Sequence, residues 1–325
     1  MEYWELEGDF DETIDNNALK NEAEGIAYVL ESWIRVCEGL DYEIIVVDDS
    51  DDETPLIVKK YAEKYQNIKL IYGERKGVGA ARNLGFKHST GEIIIWSDAD
   101  GNPEGLKDEF IRRQRRWLLS VLECFKDEEV DVVFSPGELW VTNNLLANAC
   151  SIARIDFDVS SIAFAYRQSV FKGLPISEGI TVGEDVDMYL KAMKNVRKKA
   201  ISKEPPLFYA PIFNFSDLVS SHFRYGKEYL PFLMKNKKPG LINLCGCFVY
   251  TGAVLMLPFA FLNLIFVIPF VIGILAEYLR QLKKFNTCRI KKLTHAWFFI
   301  PIPAYVQRIA FSIGFIIGLI KRVLK

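Results

Sequence analysis

Residues 77–100, GVGAARNLGFKHSTGEIIIWSDAD, decide how the rest of the chain is read. A glycine-opened turn leads into a short helix. Glu92-Ile93-Ile94-Ile95-Trp96-Ser97 then reads as a buried strand that stops at two carboxylates. Side chains at i and i+2 of a strand point to the same side. Asp98 and Asp100 are therefore expected to converge at this strand's carboxyl end, where open α/β sheets bind ligands. Paired hard oxygens there suit Mg²⁺ or Mn²⁺ carrying phosphates. An isolated Asp-x-Asp is more often a polar exit from a strand, so the segments around it must decide.

Upstream, Ile44-Ile45-Val46-Val47 is a buried strand by length and β-branching, and it ends in Asp48-Asp49-Ser50-Asp51-Asp52. A helix follows over about 54–66, with Pro55 at an early position that suits it. Residues 68–72 form another short strand. Over 22–37, Ile26, Val29, Leu30 and Ile34 recur at helical spacing. Strands alternating with helices predict an α/β fold with a Rossmann-like, mostly parallel, doubly wound sheet. Parallel strands share a direction, so the acids after Val47 and those after Ser97 fall at one edge. Residues 1–17 break the pattern with Glu2, Glu5, Glu7, Asp9, Asp11, Glu12 and Asp15. A buried parallel strand is normally a near-continuous apolar run, so this segment is expected to be irregular, or at most an edge strand.

Downstream, a long helix over 104–125 carries Arg112, Arg113, Arg115 and Arg116, a run that is usually a solvated face. Residues 130–134 and 162–166 read as strands, and Gly173-Leu174-Pro175 breaks the chain after them. Gly183-Glu184-Asp185 opens a helix, where acids ordinarily complement the dipole. In Ser221-His222-Phe223-Arg224-Tyr225-Gly226-Lys227, Arg224 offers a cationic clamp for a diphosphate. His222 is more often structural than a metal ligand.

The formal charge of −2 divides unevenly. From Leu241 onward there are ten Lys/Arg and one acid, Glu277, so that part carries +9 and the rest −11. An acidic front joined to a basic, apolar tail suits a soluble domain tethered to an anionic membrane. The six cysteines are scattered without C-x-x-C spacing, which disfavours a disulfide framework or zinc site and fits a reducing compartment. The acidic first residues do not have the pattern of a secretory leader.

Residues 241–276 contain no charged side chain. As one straight helix they would extend roughly 54 Å against a hydrocarbon core about 30 Å thick. Pro258, Asn263 and Pro269 offer bends, so a membrane hairpin is expected. Lys235, Lys237 and Lys238 before it, with Arg280, Lys283 and Lys284 after it, would then share the cytoplasmic side. Residues 296–320 are a further membrane segment whose form is open: a span, a re-entrant piece or interfacial helices. Arg308 in their middle would cost roughly 2.5–3.5 kcal/mol on insertion. Gly314-x-x-x-Gly318 is a candidate packing face.

Taken together, the acids after Val47, the Ala-Arg-Asn segment, the Asp-x-Asp and the later Glu-Asp resemble the family 2 glycosyltransferases with the GT-A fold, over roughly residues 18–230. The resemblance implies roles by position. Asp49 would hydrogen-bond the nucleotide base with Asp48 beside it, and Arg82 and Asn83 would help hold the nucleotide. Asn21 and Glu22 match the family's Asn-Glu loop. Asp98 and Asp100 would bind the diphosphate through Mn²⁺ or Mg²⁺, and Asp185 would be the general base. Two features depart from the pattern. The apolar opening strand is replaced by acidic sequence, and the Q-x-x-R-W signature is absent after Asp185, which argues against a processive synthase.

The implied organisation is an acidic segment (1–17), a catalytic domain (18–232) and C-terminal transmembrane helices (233–325). The implied function is inverting transfer from a nucleotide sugar to a polyprenyl or dolichyl phosphate, or to a lipid-linked glycan. The protein would be multi-pass, with the catalytic domain on the cytoplasmic face and no nucleic-acid partner. Two alternatives stay open: a non-catalytic nucleotide-sugar-binding or scaffold relative, and a dinucleotide-dependent oxidoreductase suggested by Gly77-x-Gly79. The latter lacks the third glycine of its fingerprint, because position 82 is Arg.

Overall fold

Runs of Ile and Val that are apolar on both faces need cover on both, which places them at the centre of a sheet. The computed structural model describes residues 12–19, 22–97, 99, 101, 103–135, 138–139, 149, 163–204, 207–208, 215–287 and 299–324. These form two units. One contains the described residues up to Ser135 together with 163–179 and 188–204; the other contains 138–139, 149, 180–187 and 207–324.

In the first unit, β2 (Tyr42–Asp48) is buried beyond Tyr42, and β4 (Ile93–Ser97) is buried as far as Trp96. The other strands are β1 (Glu12–Leu19), β3 (Ile68–Tyr72), β5 (Val130–Phe134), β7 (Ala163–Arg167) and β8 (Lys198–Ile201). Among the described residues the sheet order is β3-β2-β1-β4-β7-β5-β8. Neighbours among β3, β2, β1 and β4 pair parallel, as do β5 and β8, whereas β7 runs antiparallel to both β4 and β5. The sheet is mostly parallel with one strand reversed.

The acidic start of the chain corrects the sequence expectation. β1 is central, with Glu12 opposite both Tyr42 and Ile93, and Asn16 opposite both Val46 and Ser97. Backbone N–H and C=O groups pair in a ladder whatever side chain the residue carries. Two parallel neighbours satisfy β1 on both edges, and the polarity of its residues does not force it outward.

Helices cover the sheet by their apolar faces. α1 (Ile26–Val36) buries Ile26, Val29, Leu30, Trp33 and Val36, so its seam runs through Trp33 and Val36 while Ile34 is half-buried. After α2 (Thr54–Lys64), α3 (Val78–His88) sets Ala81 and Leu84 on Ile45, Val47 and Ile71. The expected helix from 104 begins as a 3-10 turn, Pro103–Leu106, and continues as α4 (Asp108–Phe125). α4 buries Trp117, Leu118, Val121, Leu122 and Phe125. Arg112 bonds its own helix at the Asp108 carbonyl, and Arg115 satisfies the Val36 carbonyl at 2.7 Å near the end of α1. Buried Arg167 pairs with Glu92 and donates to the Val130 and Phe125 carbonyls at 2.8 and 2.7 Å, joining β7 to its neighbours.

The second unit contains the first turn of α5 (Glu184–Ala192), then α6 (Phe215–Glu228), α7 (Leu230–Lys235) and α8 (Lys237–Met256). Two residues each of β6 (Glu138–Leu139) and β9 (Leu207–Phe208) pair parallel. The apolar tail bends where its prolines and Asn263 stand. The 3-10 turns Leu257–Phe261 and Leu264–Val267 lead into α9 (Ile268–Thr287), and the Asn263 side chain accepts from the Ile265 N–H at 2.9 Å. Gly273 of α9 lies beside Tyr250 of α8, so the chain folds back on itself.

α10 (Pro301–Val323) is a continuous helix, because Pro301 and Pro303 fall in the first turn, where no intrahelical N–H is required. Glycine removes the barrier to backbone contact between α6 and α10. A Cβ on Gly226 would overlap the Phe311 carbonyl, and one on Gly314 or Gly318 would overlap the Phe223 or Lys227 carbonyl. The Gly-x-x-x-Gly face is therefore used within the chain. Arg308, 8% exposed, pairs with fully buried Glu277 at 3.0 Å, donates to the Ala304 carbonyl and lies over the Tyr250 ring. Lys237–Phe261 and Pro301–Val323 are each long and apolar enough to cross a membrane.

Candidate active site

The register fixes which segments meet at the carboxyl edge. Leu19 pairs with Asp48, Asp48 with Tyr72, and Asn16 with Ser97. The loops after β1, β2, β3 and β4 therefore leave the sheet on the same side. Asp48 is 3% exposed. Burial pushes its pKa up; hydrogen bonds from Ser50 pull the other way, while Asp52 and Asp49 add to the rise. Asp49 accepts from the Arg75 N–H at 2.9 Å and packs against Gly73, where no Cβ would fit. Arg75 has φ +55°, a left-handed conformation that costs a non-glycine residue roughly 1–2 kcal/mol. Its guanidinium reaches Asp51 at 2.5 Å. The loops after β2 and β3 are thus joined through Asp49, Asp51 and Arg75.

A second clasp joins the loop after β1 to the start of α2. Asp52 accepts from the Thr54 hydroxyl at 2.5 Å and N–H at 3.0 Å, and from the Ala23 N–H at 3.4 Å. Fully buried Thr54 in turn accepts from the Glu22 N–H at 3.0 Å. The Thr54 hydrogen bonds hold the Asp52 carboxyl below its ordinary value. Glu22, Asp48 and Asp49 consequently share the edge expected of them. Asn21, Asp98 and Asp100 lie outside the described residues. The residues around the last two are fixed: Trp33 donates to the Ser97 hydroxyl at 2.9 Å, Ala99 is buried, and Gly101 abuts Gly25. A Cβ on Gly101 would stand 2.6 Å from Val29 Cγ2 and 2.8 Å from the Gly25 carbonyl oxygen.

α3 opens at Gly77, whose φ of +91° favours glycine. Arg82 is 6% exposed and lies over the Trp96 ring at 5.9 Å. Asn83 uses both ends of its amide on one residue: Nδ2 donates to the Ile176 carbonyl at 2.9 Å, and Oδ1 accepts from the Ile176 N–H at 2.7 Å. Gly79 lies under the Ser177 carbonyl, where a Cβ would come to 2.5 Å. From α5, Lys191 donates to the Pro175 carbonyl at 2.6 Å and the Ser177 hydroxyl at 2.7 Å. The loop from Pro175 to Ser177 is thus held by two helices.

In the second unit, Asp185 is exposed and accepts from the Val186 N–H at 2.8 Å. Asp187 is buried instead; it accepts from the Asn236 amide at 3.0 Å, and its N–H donates to the Gly183 carbonyl at 2.9 Å. Arg224 is exposed, with its guanidinium 5.6 Å from the Tyr225 ring centroid. His222 Nδ1–H donates to the Leu218 carbonyl at 2.9 Å, a bond within its own helix. Sequence reasoning passed over Thr54, Arg75, Gly101 and Asp187. Gly101 had a visible signal, a glycine directly after the last acid of the Asp-x-Asp.

A mixed sheet with one reversed strand and carboxylates at its carboxyl edge, followed in sequence by apolar helices, is the GT-A fold expected from the sequence, with a C-terminal apolar region. Residues 18–135 match the family model described as Glycosyl transferase family 2, and this part of the chain is a family 2 glycosyltransferase domain. A putative glycosyltransferase of Bacillus subtilis is 40% identical over 81 residues, 22% of this chain and 24% of that protein. A dolichyl-phosphate beta-glucosyltransferase of Trichomonas vaginalis is 38% identical over 90 residues, 25% of this chain and 28% of that protein. The chain spans only 19% to 38% of the length of the first three curated relatives it matches. Among solved structures, a mannosyltransferase of Pyrobaculum calidifontis, in complex with GDP-Man and Mn²⁺, superposes with a TM-score of 0.53 at 18% identity. That match covers 94% of this chain and 86% of the other, and establishes likeness of fold.

Proposed function

We propose that the chain is an inverting, metal-dependent hexosyltransferase that moves a sugar from a nucleotide-sugar donor to a lipid phosphate or lipid-linked glycan at a membrane. The observation that carries this reading is the convergence of Glu22, Asp48 and Asp49 on the carboxyl edge shared by β4, the strand that runs into Asp98 and Asp100. Asp49, with Asp48, takes the nucleotide base. Asn21, Glu22, Arg82 and Arg224 contribute to holding the donor, and Asn83 holds the loop beside it.

Asp98 and Asp100 would hold Mn²⁺ or Mg²⁺. Two carboxylates at i and i+2 are a hard-oxygen donor set, and packed Ala99 and Gly101 restrain the backbone between and after them. When bound, such an ion neutralises charge on the leaving diphosphate. With a glycan hydroxyl as acceptor, Asp185 takes its proton as the oxygen attacks the anomeric carbon opposite the diphosphate; a lipid-phosphate oxygen, largely ionised near pH 7, attacks without a proton to give up. The new C–O bond forms as the bond to diphosphate breaks, and the configuration inverts.

We read the tail as membrane-embedded and multi-pass on the length and apolarity of Lys237–Phe261 and Pro301–Val323, and the helix directions orient that reading. α8 and α10 run antiparallel, with Phe248 near Phe315 and Tyr250 near Tyr305. α9 runs with α10, from Gly273 beside Tyr305 to Glu277 on Arg308. The basic start of α8 and the basic end of α10 therefore share one end, toward which α9 also runs. In this reading that basic end is the cytoplasmic one, as the positive-inside rule prefers.

Membranes incubated with labelled nucleotide sugars and Mn²⁺ should transfer label to the lipid fraction, and Asp98→Ala should abolish transfer. If no donor is hydrolysed or transferred and Asp98→Ala changes nothing, the reading fails. Metal-dependent nucleotide binding by calorimetry without turnover would favour the scaffold alternative.

A further inference from the structure

The second unit contains a cavity of about 430 Å³, within the roughly 300–1,000 Å³ of small-molecule sites. It opens among the first turn of α5, α6, α7, α8 and α10. Two of its lining residues, Gly183 and Val186, bracket Glu184-Asp185 in sequence. The wall is tight at that point, since a Cβ on Gly183 would stand 2.8 Å from the Phe232 ring. Much of the lining is apolar, including Phe232, Cys247 and Phe311, which belong to one packed cluster.

Its polar lining is one-sided. Arg308, Gln307, His222, Asn243, Tyr225 and Tyr229 contribute, and no carboxylate is among the lining residues. Glu277, the counter-ion of Arg308, is not among the lining residues. A guanidinium carries five N–H donors; the Ala304 carbonyl and Glu277 engage two of its nitrogens. The Tyr229 hydroxyl donates to the Gly240 carbonyl at 3.4 Å and accepts from the Asn243 amide at 3.2 Å, and burial pushes its pKa up to about 12. An aqueous ion has no reason to enter so apolar a site, and a plain hydrocarbon offers no acceptor to the Arg308 N–H donors beyond those that meet the Ala304 carbonyl and Glu277. A lipid with a terminal phosphate satisfies both sets of walls.

We propose that this cavity receives the phosphomonoester head of a membrane lipid, whose chain leaves among α8 and α10. The proposal rests on the lipid-acceptor reading above and locates its subsite beside the residues that bracket Asp185.

Cys247 is a built-in reporter, since its buried thiol lines the cavity, while exposed Cys245 two residues away does not. The full chain, reconstituted in lipid discs, is alkylated with N-ethylmaleimide, and each cysteine is followed by mass spectrometry. Arms contain an isoprenyl phosphate, its parent alcohol, phosphatidate or inorganic phosphate. Slowing of Cys247 labelling at least fivefold by a lipid phosphate, with Cys245 unchanged, supports the proposal. The isoprenyl and phosphatidate arms identify which lipid class supplies the head. Equal protection by the parent alcohol or by inorganic phosphate overturns it.

Cys247→Phe gives a second measurement, independent of thiol reactivity. It should raise the lipid concentration for half-maximal transfer about tenfold while leaving nucleotide-sugar binding by calorimetry unchanged. Donor binding and lipid transfer that both persist, with neither Cys247 protection nor an effect of Cys247→Phe, would reject the cavity and leave the transferase reading intact. Loss of donor binding in the unaltered chain would reject the transferase reading first.

Discussion

Replacing Asn83 separates holding the loop at Ile176 from touching the donor directly. Its amide makes two hydrogen bonds to the backbone of Ile176, at 2.9 and 2.7 Å. Asn83→Ala removes both and leaves the Ile176 N–H and C=O to find water. Each bond contributes about 1 kcal/mol net, and a stranded backbone group costs about 1–3 kcal/mol when it cannot reach solvent. Because the site is partly buried, the low end applies, and the loop loses roughly 2 kcal/mol of local stability. That is about a 30-fold rise in its open population, at tenfold per 1.4 kcal/mol. Lys191 still holds Pro175 and Ser177, so the loop should loosen without unfolding of the sheet. Native-state hydrogen exchange reads this directly: the Ile176 amide should exchange about 30-fold faster, with the amides of β2 and β4 unchanged. Donor affinity should fall through the loosened loop, and Asn83→Asp, which keeps only the acceptor, should fall between wild type and Ala. Weakened donor binding with unchanged exchange at Ile176 would refute this account and make Asn83 a direct ligand.

Three other outcomes follow from the same structure. Asp48 has its folded pKa raised by burial, so the folded state holds this proton more tightly than the unfolded chain. Its contribution therefore becomes unfavourable as pH climbs from the ordinary value of 3.8 through the raised one. Asp48→Asn should raise the melting temperature at pH 7 relative to wild type, flatten that acid-range slope and weaken nucleotide binding; an unchanged slope contradicts it. Glu277→Gln strands the buried Arg308 cation and should destabilise the second unit by about 3–5 kcal/mol, with Glu277→Gln/Arg308→Met recovering most of it. Denaturation midpoints in detergent would show this, and a single variant as stable as the double would refute it. Gly314→Leu drives a side chain into the Phe223 carbonyl and should cost about 1–3 kcal/mol or more by overpacking, read as lost protection in α6; a neutral result would mean the two helices separate freely.

The apolar interior of the sheet was legible in the sequence, and its topology only in part. Ile44–Val47 and Ile93–Trp96 announce themselves because each residue must be covered on both faces, and no surface environment suits such runs. β1 carries no such signal: with Glu12, Asp15 and Asn16 its sequence reads as solvent-facing, yet its backbone is the rung between β2 and β4. Backbone pairing is a property of neighbours, and a polar segment reveals nothing about who its neighbours are. The reversal of β7 escaped for a related reason, since strand direction depends on the path of the preceding connection rather than on the residues of the strand. β8 is short and exposes Lys198 and Lys199, so alternation was too weak to detect. At the candidate site, the acids were readable by type and order. The clasps that position them, Asp52 on Thr54 and Asp49 on the Arg75 amide, depend on loops far apart in sequence and became visible only with the fold.

The tail shows how much a sparse charge pattern can carry. Beyond Leu241 there is a single acid, Glu277, and the sequence flagged Arg308 as expensive in the middle of an apolar helix. An apolar environment penalises an isolated charge far more than a paired one, so one unmatched cation and one unmatched anion in the same apolar region are each other's cheapest solution. Their separation of 31 positions (308 − 277) hides the pair from any helical-spacing rule, and the fold brings them to 3.0 Å. The glycines act by the opposite logic: Gly226, Gly314 and Gly318 matter through the side chains they lack, which lets an amphipathic helix of the second unit lie against α10 closely enough to bury it. The same contact leaves the far side of α10 to α8 and α9, where Thr251 bonds Ser312 at 3.0 Å and Arg308 meets Glu277. α10 is thus the axis of its unit: α6 packs on its glycines, and the polar groups along it find partners on α8 and α9. For that reason a substitution at Arg308 should be felt as a change in helix pairing before it is felt as a change in membrane insertion.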